Sequence, residues 1–148
     1  MPHFSEEKII PYSAAEIFAV VADVASYPEF LPWCRGARVY NKKEASFDAD
    51  VMIGLKLFRE RFTSRVLLVE DQSIEVDYIR GPLKRLYNHW KFEAQEDGAC
   101  LIDFEVDFEF KNKMLEEMMS GLFEKACHKM MVAFEARVAS LSQETKTQ

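Results

Sequence analysis

The stretch Cys100–Phe110, with the sequence CLIDFEVDFEF, alternates apolar and acidic side chains along most of its length. Its even-numbered residues are Cys, Ile, Phe, Val, Phe and Phe. The odd-numbered positions from 103 to 109 are all Asp or Glu. Because successive side chains of a strand point to opposite faces, this pattern predicts an antiparallel strand with one buried and one solvated face. The rest of the chain must cover that apolar face.

The preceding segments repeat this alternation and predict a meander of antiparallel strands. Gly81-Pro82 and Asp97-Gly98 supply turn residues between the later strands. The predicted strands are His3–Ile10, one from Ala37, Phe47–Leu57, Phe58–Val69, Ile74–Tyr78, Leu86–Ala94 and Cys100–Phe110. The sheet therefore has about seven strands, and their inner faces all need cover.

Two helical segments flank the meander. Ser13 and Glu16 have the spacing of a capping box and predict a short helix after the first strand. The segment Lys113–Leu141 predicts one long amphipathic helix, the only element large enough to cover the sheet. Its predicted apolar stripe consists of Leu115, Met118, Met119, Leu122, Ala126, Met130 and Ala133. The expected fold is α+β, a curved antiparallel sheet gripping a long C-terminal helix, with short N-terminal helices.

Length and composition predict one domain, residues 1–142, followed by a flexible tail at 143–148. The chain has 148 residues, among them 12 Phe and seven Met, which suit an apolar wall that is deformable rather than fully packed. The N-terminal residues lack the apolar run of a signal peptide, and no stretch approaches the ~18 apolar residues of a membrane span. We therefore expect a cytoplasmic protein.

Charge and motifs exclude several classes of function. The net charge of −6 argues against a DNA-binding protein, because phosphate contacts need a clustered positive surface. Three isolated cysteines without a C-x-x-C pair predict reduced thiols rather than a zinc site. His3, His89 and His128 lie on separate elements, two of them on predicted solvent faces, and no nucleotide-binding or hydrolase motif is present. No catalytic residue, metal or cofactor is therefore expected.

Polar residues at inward positions are the candidates for ligand recognition. Alternation places Glu60, Ser64 and Asn88 on the inner face. They either lie at wet strand ends or hydrogen-bond the polar end of an apolar ligand. On the outer face, Arg59, Arg61 and Arg65 form a basic stripe that cross-strand ion pairs with neighbouring Asp and Glu would explain; nucleic-acid binding is the alternative.

The stretch Val24–Cys34, VASYPEFLPWC, resembles the signature of the coenzyme-Q-binding branch of the START-like, polyketide-cyclase-related superfamily. Gly81-Pro82-Leu83 and the run Asn88–Phe92 resemble it too, although Leu83 replaces a frequent aromatic residue. The resemblance implies the helix-grip (START-like) fold and binding of ubiquinone or a similar polyprenyl lipid. Ubiquinone would be a bound ligand rather than a redox cofactor. Bacterial relatives also include toxins that block the association of ribosomal subunits.

The resemblance makes the motif around Tyr27 a rim over the cavity mouth, and the inner rows of the sheet and helix its walls. The expected ligand-binding residues are Tyr27, Phe30, Leu31, Trp33, Val51, Ile53, Glu60, Phe62, Ser64, Tyr78, Asn88, Trp90, Phe92, Phe104, Met118 and Leu122.

Three hypotheses for function follow. The first is a non-catalytic carrier that supports respiratory electron transport or quinone biosynthesis, with transient contact at the inner membrane surface. The second is a ribosome-binding inhibitor of subunit association, which the acidic net charge disfavours. The third is a polyketide cyclase-like enzyme, which would need Glu60 as its acid or base.

Overall fold

The computed structural model describes residues 3–55 and 58–147 of the chain. Seven strands, two α-helices and one 3₁₀ helix make up the fold. They are β1 (His3–Ile10), α1 (Ala14–Ala22), the 3₁₀ helix Val24–Glu29, β2 (Cys34–Tyr40), β3 (Ser46–Leu55), β4 (Phe58–Val69), β5 (Ser73–Arg80), β6 (Leu83–Ala94), β7 (Cys100–Phe110) and α2 (Lys113–Thr147).

The strands form one antiparallel sheet in the order β1-β7-β6-β5-β4-β3-β2. The chain meanders from β2 to β7, and β1 pairs with the outer edge of β7 along its whole length. The register shifts between Thr63 and Ser64 in β4 and between Leu83 and Arg85 in β6, and such irregularities bend a strand. The predicted α+β sheet that grips one long helix is confirmed.

Short-range signals fix the N-terminal helix as predicted. The Ser13 hydroxyl accepts a hydrogen bond from the Glu16 amide at 3.1 Å, and the Glu16 carboxylate accepts one from the Ser13 amide at 3.2 Å. This reciprocal capping box starts α1, which buries Ile17, Val20 and Val21. The following 3₁₀ helix contains Pro28, whose missing amide hydrogen suits a short, irregular turn.

The long helix α2 crosses the inner face of the sheet and packs against β7, β1 and α1. Asn112 accepts hydrogen bonds from the Met114 and Leu115 amides and so caps the helix start. Lys8 and Glu135 form a 3.1 Å ion pair between β1 and α2. The helix continues past the predicted end at residue 141 to residue 147, so the predicted tail 143–148 is helical through residue 147; Gln148 lies outside the described residues.

Two exposures differ from the predictions. Met118, expected on the buried stripe, is 59% exposed, because α2 turns only part of its apolar surface toward the sheet. His89 lies on the outer face of the sheet but is only 8% exposed, since it packs against the Tyr87 ring on the same face. Leu57, expected on the inner face of β3, lies outside the described residues.

Candidate functional site

An apolar cavity of about 270 Å³ lies between the inner face of the sheet, the 3₁₀ helix and α2. None of the described residues that line it is charged, and Ser64 and Asn88 are the only hydrophilic residues among them. A pocket of this composition favours an apolar ligand, whose orientation a few polar groups would set.

Ten of the predicted ligand-binding residues line this cavity. They come from five parts of the chain, because the inner positions of β3, β4, β6 and β7 face the segment that follows α1. These residues are Tyr27, Leu31, Trp33, Val51, Ile53, Phe62, Ser64, Asn88, Trp90 and Phe104. Their position in the wall agrees with the alternation of the sequence; whether they touch a ligand stays a prediction.

Glu60 and Met118 were expected in the site but lie outside the wall. Glu60 is paired with Ile53 and therefore shares the inner side of β4, but it is exposed near the strand end. An ionised carboxylate is most stable when it is hydrated, so the charge of Glu60 lies at the edge of the cavity rather than inside it. Met118 faces solvent on α2, and Leu122, one turn later, is half-buried without lining the cavity.

Three other predicted residues support the cavity from behind. Phe92 packs edge-on against Phe18 of α1, with ring centroids 6.1 Å apart. The Tyr78 hydroxyl accepts a hydrogen bond from the Leu83 amide at 3.0 Å and so ties β5 to the start of β6. Phe30 lies in a separate groove between α1 and the C-terminal part of α2. These side chains hold the wall rather than form it.

Phe134 of α2 was not predicted as a site residue, although it closes one end of the cavity. Its ring centroid lies 5.3 Å from those of Tyr27 and Phe30 and 5.2 Å from that of Trp90, all in edge-to-face geometry. It therefore joins the aromatic motif after α1 to the sheet. The recurrence of Met119, Phe123, Met130 and Phe134 at helical spacing was the sequence signal for this inner stripe.

Two polar side chains of the wall, Asn88 and Tyr27, donate hydrogen bonds to backbone carbonyl groups. Asn88 donates through Nδ2 to the Glu105 carbonyl oxygen at 3.0 Å, and the Tyr27 hydroxyl donates to the Val21 carbonyl oxygen. Burial raises the pKa of Tyr27 well above its usual range, so its hydroxyl stays protonated. The Trp33 Nε1–H is buried without a hydrogen-bond partner among the described residues.

The cysteine in the wall, Cys127, has a thiol of low nucleophilicity. Burial, together with the carboxylates of Glu6 and Glu124, raises the pKa of the Cys127 thiol to about 12. A thiol held in its neutral form is a poor nucleophile. Among the residues that the structure describes, the cavity wall contains no carboxylate, imidazole, amine or guanidinium group.

The outer face of the sheet carries a buried carboxylate pair. Asp48 accepts hydrogen bonds from Arg65 and Asn41, both at 2.9 Å, and these interactions lower its pKa. Asp50 accepts from the hydroxyls of Thr63 at 2.8 Å and Tyr40 at 3.0 Å.

An ion pair with Arg38 at 3.0 Å completes the environment of Asp50. Burial alone would raise the pKa of Asp50, but the hydrogen bonds from Thr63, Tyr40 and Arg38 outweigh it and lower the pKa. Of the predicted basic stripe, only Arg65 is therefore in an ion pair on this face. Arg59 and Arg61 are exposed, with no acidic partner within ion-pair distance in residues 3–55 and 58–147.

No group of three or more metal-ligating side chains is present in the described part of the chain. Within the same residues, every helix is too short or too polar to cross a bilayer.

Comparison with known proteins identifies relatives of this chain. The chain is 37% identical over 137 residues to the ribosome association toxin RatA of Escherichia coli, an alignment that spans 93% of this chain and 87% of the toxin. It is 29% identical over 135 residues to the mitochondrial coenzyme Q-binding protein COQ10 of Drosophila melanogaster, spanning 88% of this chain and 56% of that protein.

The fold has relatives among solved structures. A START superfamily protein from Mycobacterium smegmatis superimposes with a TM-score of 0.80 at 18% identity, covering 94% of this chain and 98% of that one. This likeness confirms the START-like fold. Residues 10–135, which include every described residue of the cavity wall, match the family model described as polyketide cyclase / dehydrase and lipid transport, and the chain belongs to that family.

Proposed function

We propose that this protein binds ubiquinone or a similar polyprenyl lipid in the cavity and carries it without transforming it. The observation that supports this most is the wall itself, whose described residues are uncharged and, apart from Ser64 and Asn88, apolar or aromatic. Removing a hydrocarbon tail from water into such a wall contributes roughly 25 cal/mol per Å². The named similarity to a coenzyme Q-binding protein supports the choice of ligand.

The size of the cavity limits how such a ligand would fit. Pockets for small molecules usually measure about 300–1,000 Å³, and this one measures about 270 Å³. It would hold a head group with the first part of a tail, while a longer tail extends through the mouth. Met119 and Met130 in the wall are unbranched and pliable, which would let the cavity expand around a chain.

The chemistry of the wall supports a non-catalytic role. An acid–base enzyme needs an ionisable group within hydrogen-bond reach of its substrate. Glu60, the candidate for that role, is exposed outside the wall, and the Cys127 thiol is held neutral. The cellular role we propose is support of respiratory electron transport or quinone biosynthesis, from the cytoplasm and at the inner membrane surface.

The test is identification and titration of the bound lipid. Native mass spectrometry of freshly purified protein, followed by organic extraction, should recover a polyprenyl quinone, and the delipidated protein should take up ubiquinone saturably. Ser64→Leu adds bulk inside the wall and should weaken uptake at least tenfold. Leu67→Phe changes an exposed residue on the outer face of the same strand and serves as the control. Absence of lipid together with unsaturable uptake would refute the proposal.

A second candidate function is ribosome binding, and two observations favour it. Relatives named ribosome association toxin align over most of the chain at more than 30% identity. Arg59 and Arg61 are exposed and carry no ion-pair partner in the described residues, so they are free to meet phosphate. Co-sedimentation with ribosomal subunits that Arg59→Gln and Arg61→Gln abolish would support this function, and its absence at low salt would exclude it.

A further inference from the structure

The side chain of Asn88 presents a hydrogen-bond acceptor whose orientation the protein fixes. Its amide nitrogen Nδ2 donates to the Glu105 carbonyl oxygen at 3.0 Å, and only the nitrogen end of an amide can donate there. The other end, Oδ1, is therefore turned away from Glu105, and it accepts no hydrogen bond from the described residues. The backbone of β7 thus decides which end of the amide remains for a ligand.

That acceptor belongs to the cavity. The strand register pairs Asn88 with Val76 of β5 and with Val106 of β7, and both valines also line the cavity. Asn88 is nevertheless half-buried rather than buried. Because β6 has a neighbouring strand on each side, the accessible part of this inward side chain faces the cavity. A ligand in the cavity displaces water from Oδ1.

A ligand that displaces this water must replace its hydrogen bond or leave the acceptor unpaired. An unpaired acceptor in an apolar pocket costs more free energy than an ordinary hydrogen bond contributes. The oxidised head group of a ubiquinone-like lipid carries only carbonyl and ether oxygens, which have no hydrogen to donate. The reduced head group, a hydroquinone, carries two hydroxyl groups, and each of them donates as well as accepts.

The other polar atoms of the wall do not separate the two forms. The Ser64 hydroxyl donates or accepts as its partner requires. The unpaired Trp33 Nε1–H needs an acceptor, which either form of the head group supplies. The hydrogen of the Tyr27 hydroxyl is already donated to the Val21 carbonyl oxygen. Discrimination between the two forms therefore depends on Asn88.

The spacing of Asn88 and Ser64 suits a ring with oxygens at opposite positions. Ser64 pairs with Tyr78 and Asn88 with Val76, so the two polar residues lie on opposite sides of β5, one inward position apart. Strand spacing and rise separate their backbones by about 12 Å, and inward side chains of a curved sheet converge. A hydroquinone ring between them can donate from one hydroxyl to Asn88 and meet Ser64 with the other.

We propose that the cavity binds the hydroquinone form of its prenylated ligand more tightly than the quinone form, and that Asn88 distinguishes the two. This preference rests on the proposed lipid cargo, because it concerns the redox form of that ligand. One satisfied hydrogen bond set against one unpaired acceptor corresponds to a preference of about tenfold.

The experiment is isothermal titration calorimetry of the delipidated protein under nitrogen. The ligands are a short-tailed ubiquinone, its hydroquinone and the dimethyl ether of that hydroquinone, which keeps the ring and tail but cannot donate. The parent protein should bind the hydroquinone about tenfold more tightly than the other two. Asn88→Leu keeps a similar volume without the acceptor, so its three affinities should agree within about twofold.

Ser64→Ala is the matched control. It removes a hydroxyl that serves both redox forms, so it should weaken both by a similar factor and leave their ratio unchanged. Thermal unfolding checks that each variant is folded. If Asn88→Leu does not fold, the comparison of the hydroquinone with its ether in the parent protein decides.

The outcomes separate the redox preference from the lipid cargo itself. Saturable binding of all three ligands with equal affinity, or tighter binding of the quinone, would overturn the preference and leave the cargo intact. No saturable binding of any ligand would refute the cargo and the preference together. A hydroquinone preference that persists in folded Asn88→Leu would overturn the assignment to Asn88.

Discussion

Replacing Phe134 with alanine tests how the closed end of the cavity is held. Phe134 is 5% exposed and meets Tyr27, Phe30 and Trp90 in edge-to-face contacts, so its ring joins α2, the 3₁₀ segment and β6. Removal of the ring leaves a void that the three other rings cannot fill without leaving their own contacts. We therefore expect a loss of stability at the upper end of the range for core substitutions.

The magnitude follows from the area removed. An aromatic side chain buries about 150–250 Å², and at about 25 cal/mol per Å² this corresponds to about 4–6 kcal/mol. Alanine retains part of that area, so the free energy of unfolding should fall by about 3–5 kcal/mol, the usual range for such truncations. A domain of this size typically has about 5–15 kcal/mol in total. The substitution should therefore remove a large fraction of the stability.

Urea denaturation followed by tryptophan fluorescence measures the effect. With an m-value of about 2 kcal/mol/M, the midpoint should fall by about 2 M while the slope stays unchanged. The melting temperature should fall by roughly 8–16 °C. Phe134→Leu is the matched control, since it keeps most of the apolar volume, and it should cost less than about 1.5 kcal/mol.

A loss below about 1 kcal/mol for Phe134→Ala would refute this account, since it would mean that the three rings close over the gap or that Phe134 is mobile in solution. A change in the slope would instead indicate that the variant altered the compactness of one of the two states. Addition of a polyprenyl lipid should partly restore the melting temperature of the alanine variant, because a bound chain can occupy the space that the ring leaves.

Three further predictions concern ionisable groups. The folded-state pKa of Asp50 lies below its ordinary value of 3.8, so its ionised form stabilises the fold above about pH 4 and that contribution is lost as pH falls through the lowered value. Urea midpoints measured from pH 6 to pH 2.5 should fall less steeply for Asp50→Asn, and equal slopes would contradict the network. The Cys127 thiol should react with iodoacetamide at pH 8 only after unfolding, which mass spectrometry of the labelled peptide can check. Glu60→Gln should leave ubiquinone uptake unchanged within twofold; a larger loss would place the carboxylate at the ligand.

Strand alternation predicted the sheet and most of the wall because a one-residue error would move every side chain of a strand to the wrong face. Ser64 and Asn88 were identified from the sequence for this reason, as polar interruptions of an apolar row. Glu60 shares the same inner side but lies outside the wall, at the strand end that the sequence left open as an alternative, since alternation gives the side of a strand but not the distance from its end. Pairing with Ile53 near the hairpin is what leaves it in water.

The helical part of the wall was harder to predict. An amphipathic stripe on α2 is broad, and its centre depends on which partners the helix meets. β1 holds one flank of α2 through the Lys8–Glu135 ion pair and the ring contact of Phe4 with His128, while Phe123 and Phe134 line the cavity and Met118 is exposed. These contacts are far apart in sequence, so helical spacing alone could not place Met118.

The division of the sheet into two faces bears on how one family includes relatives named for coenzyme Q binding and relatives named for ribosome association. In β4, Ser64 lines the cavity, while Arg61, three residues earlier, is exposed on the outer side opposite Met52. A substitution at one position leaves the other face almost untouched, so cargo and surface partner can change independently on this scaffold. A variant of Ser64 should therefore impair lipid uptake and spare surface binding, and a variant of Arg61 should do the reverse. If both substitutions impaired lipid uptake and surface binding equally, the two faces would have to be coupled through the strand itself.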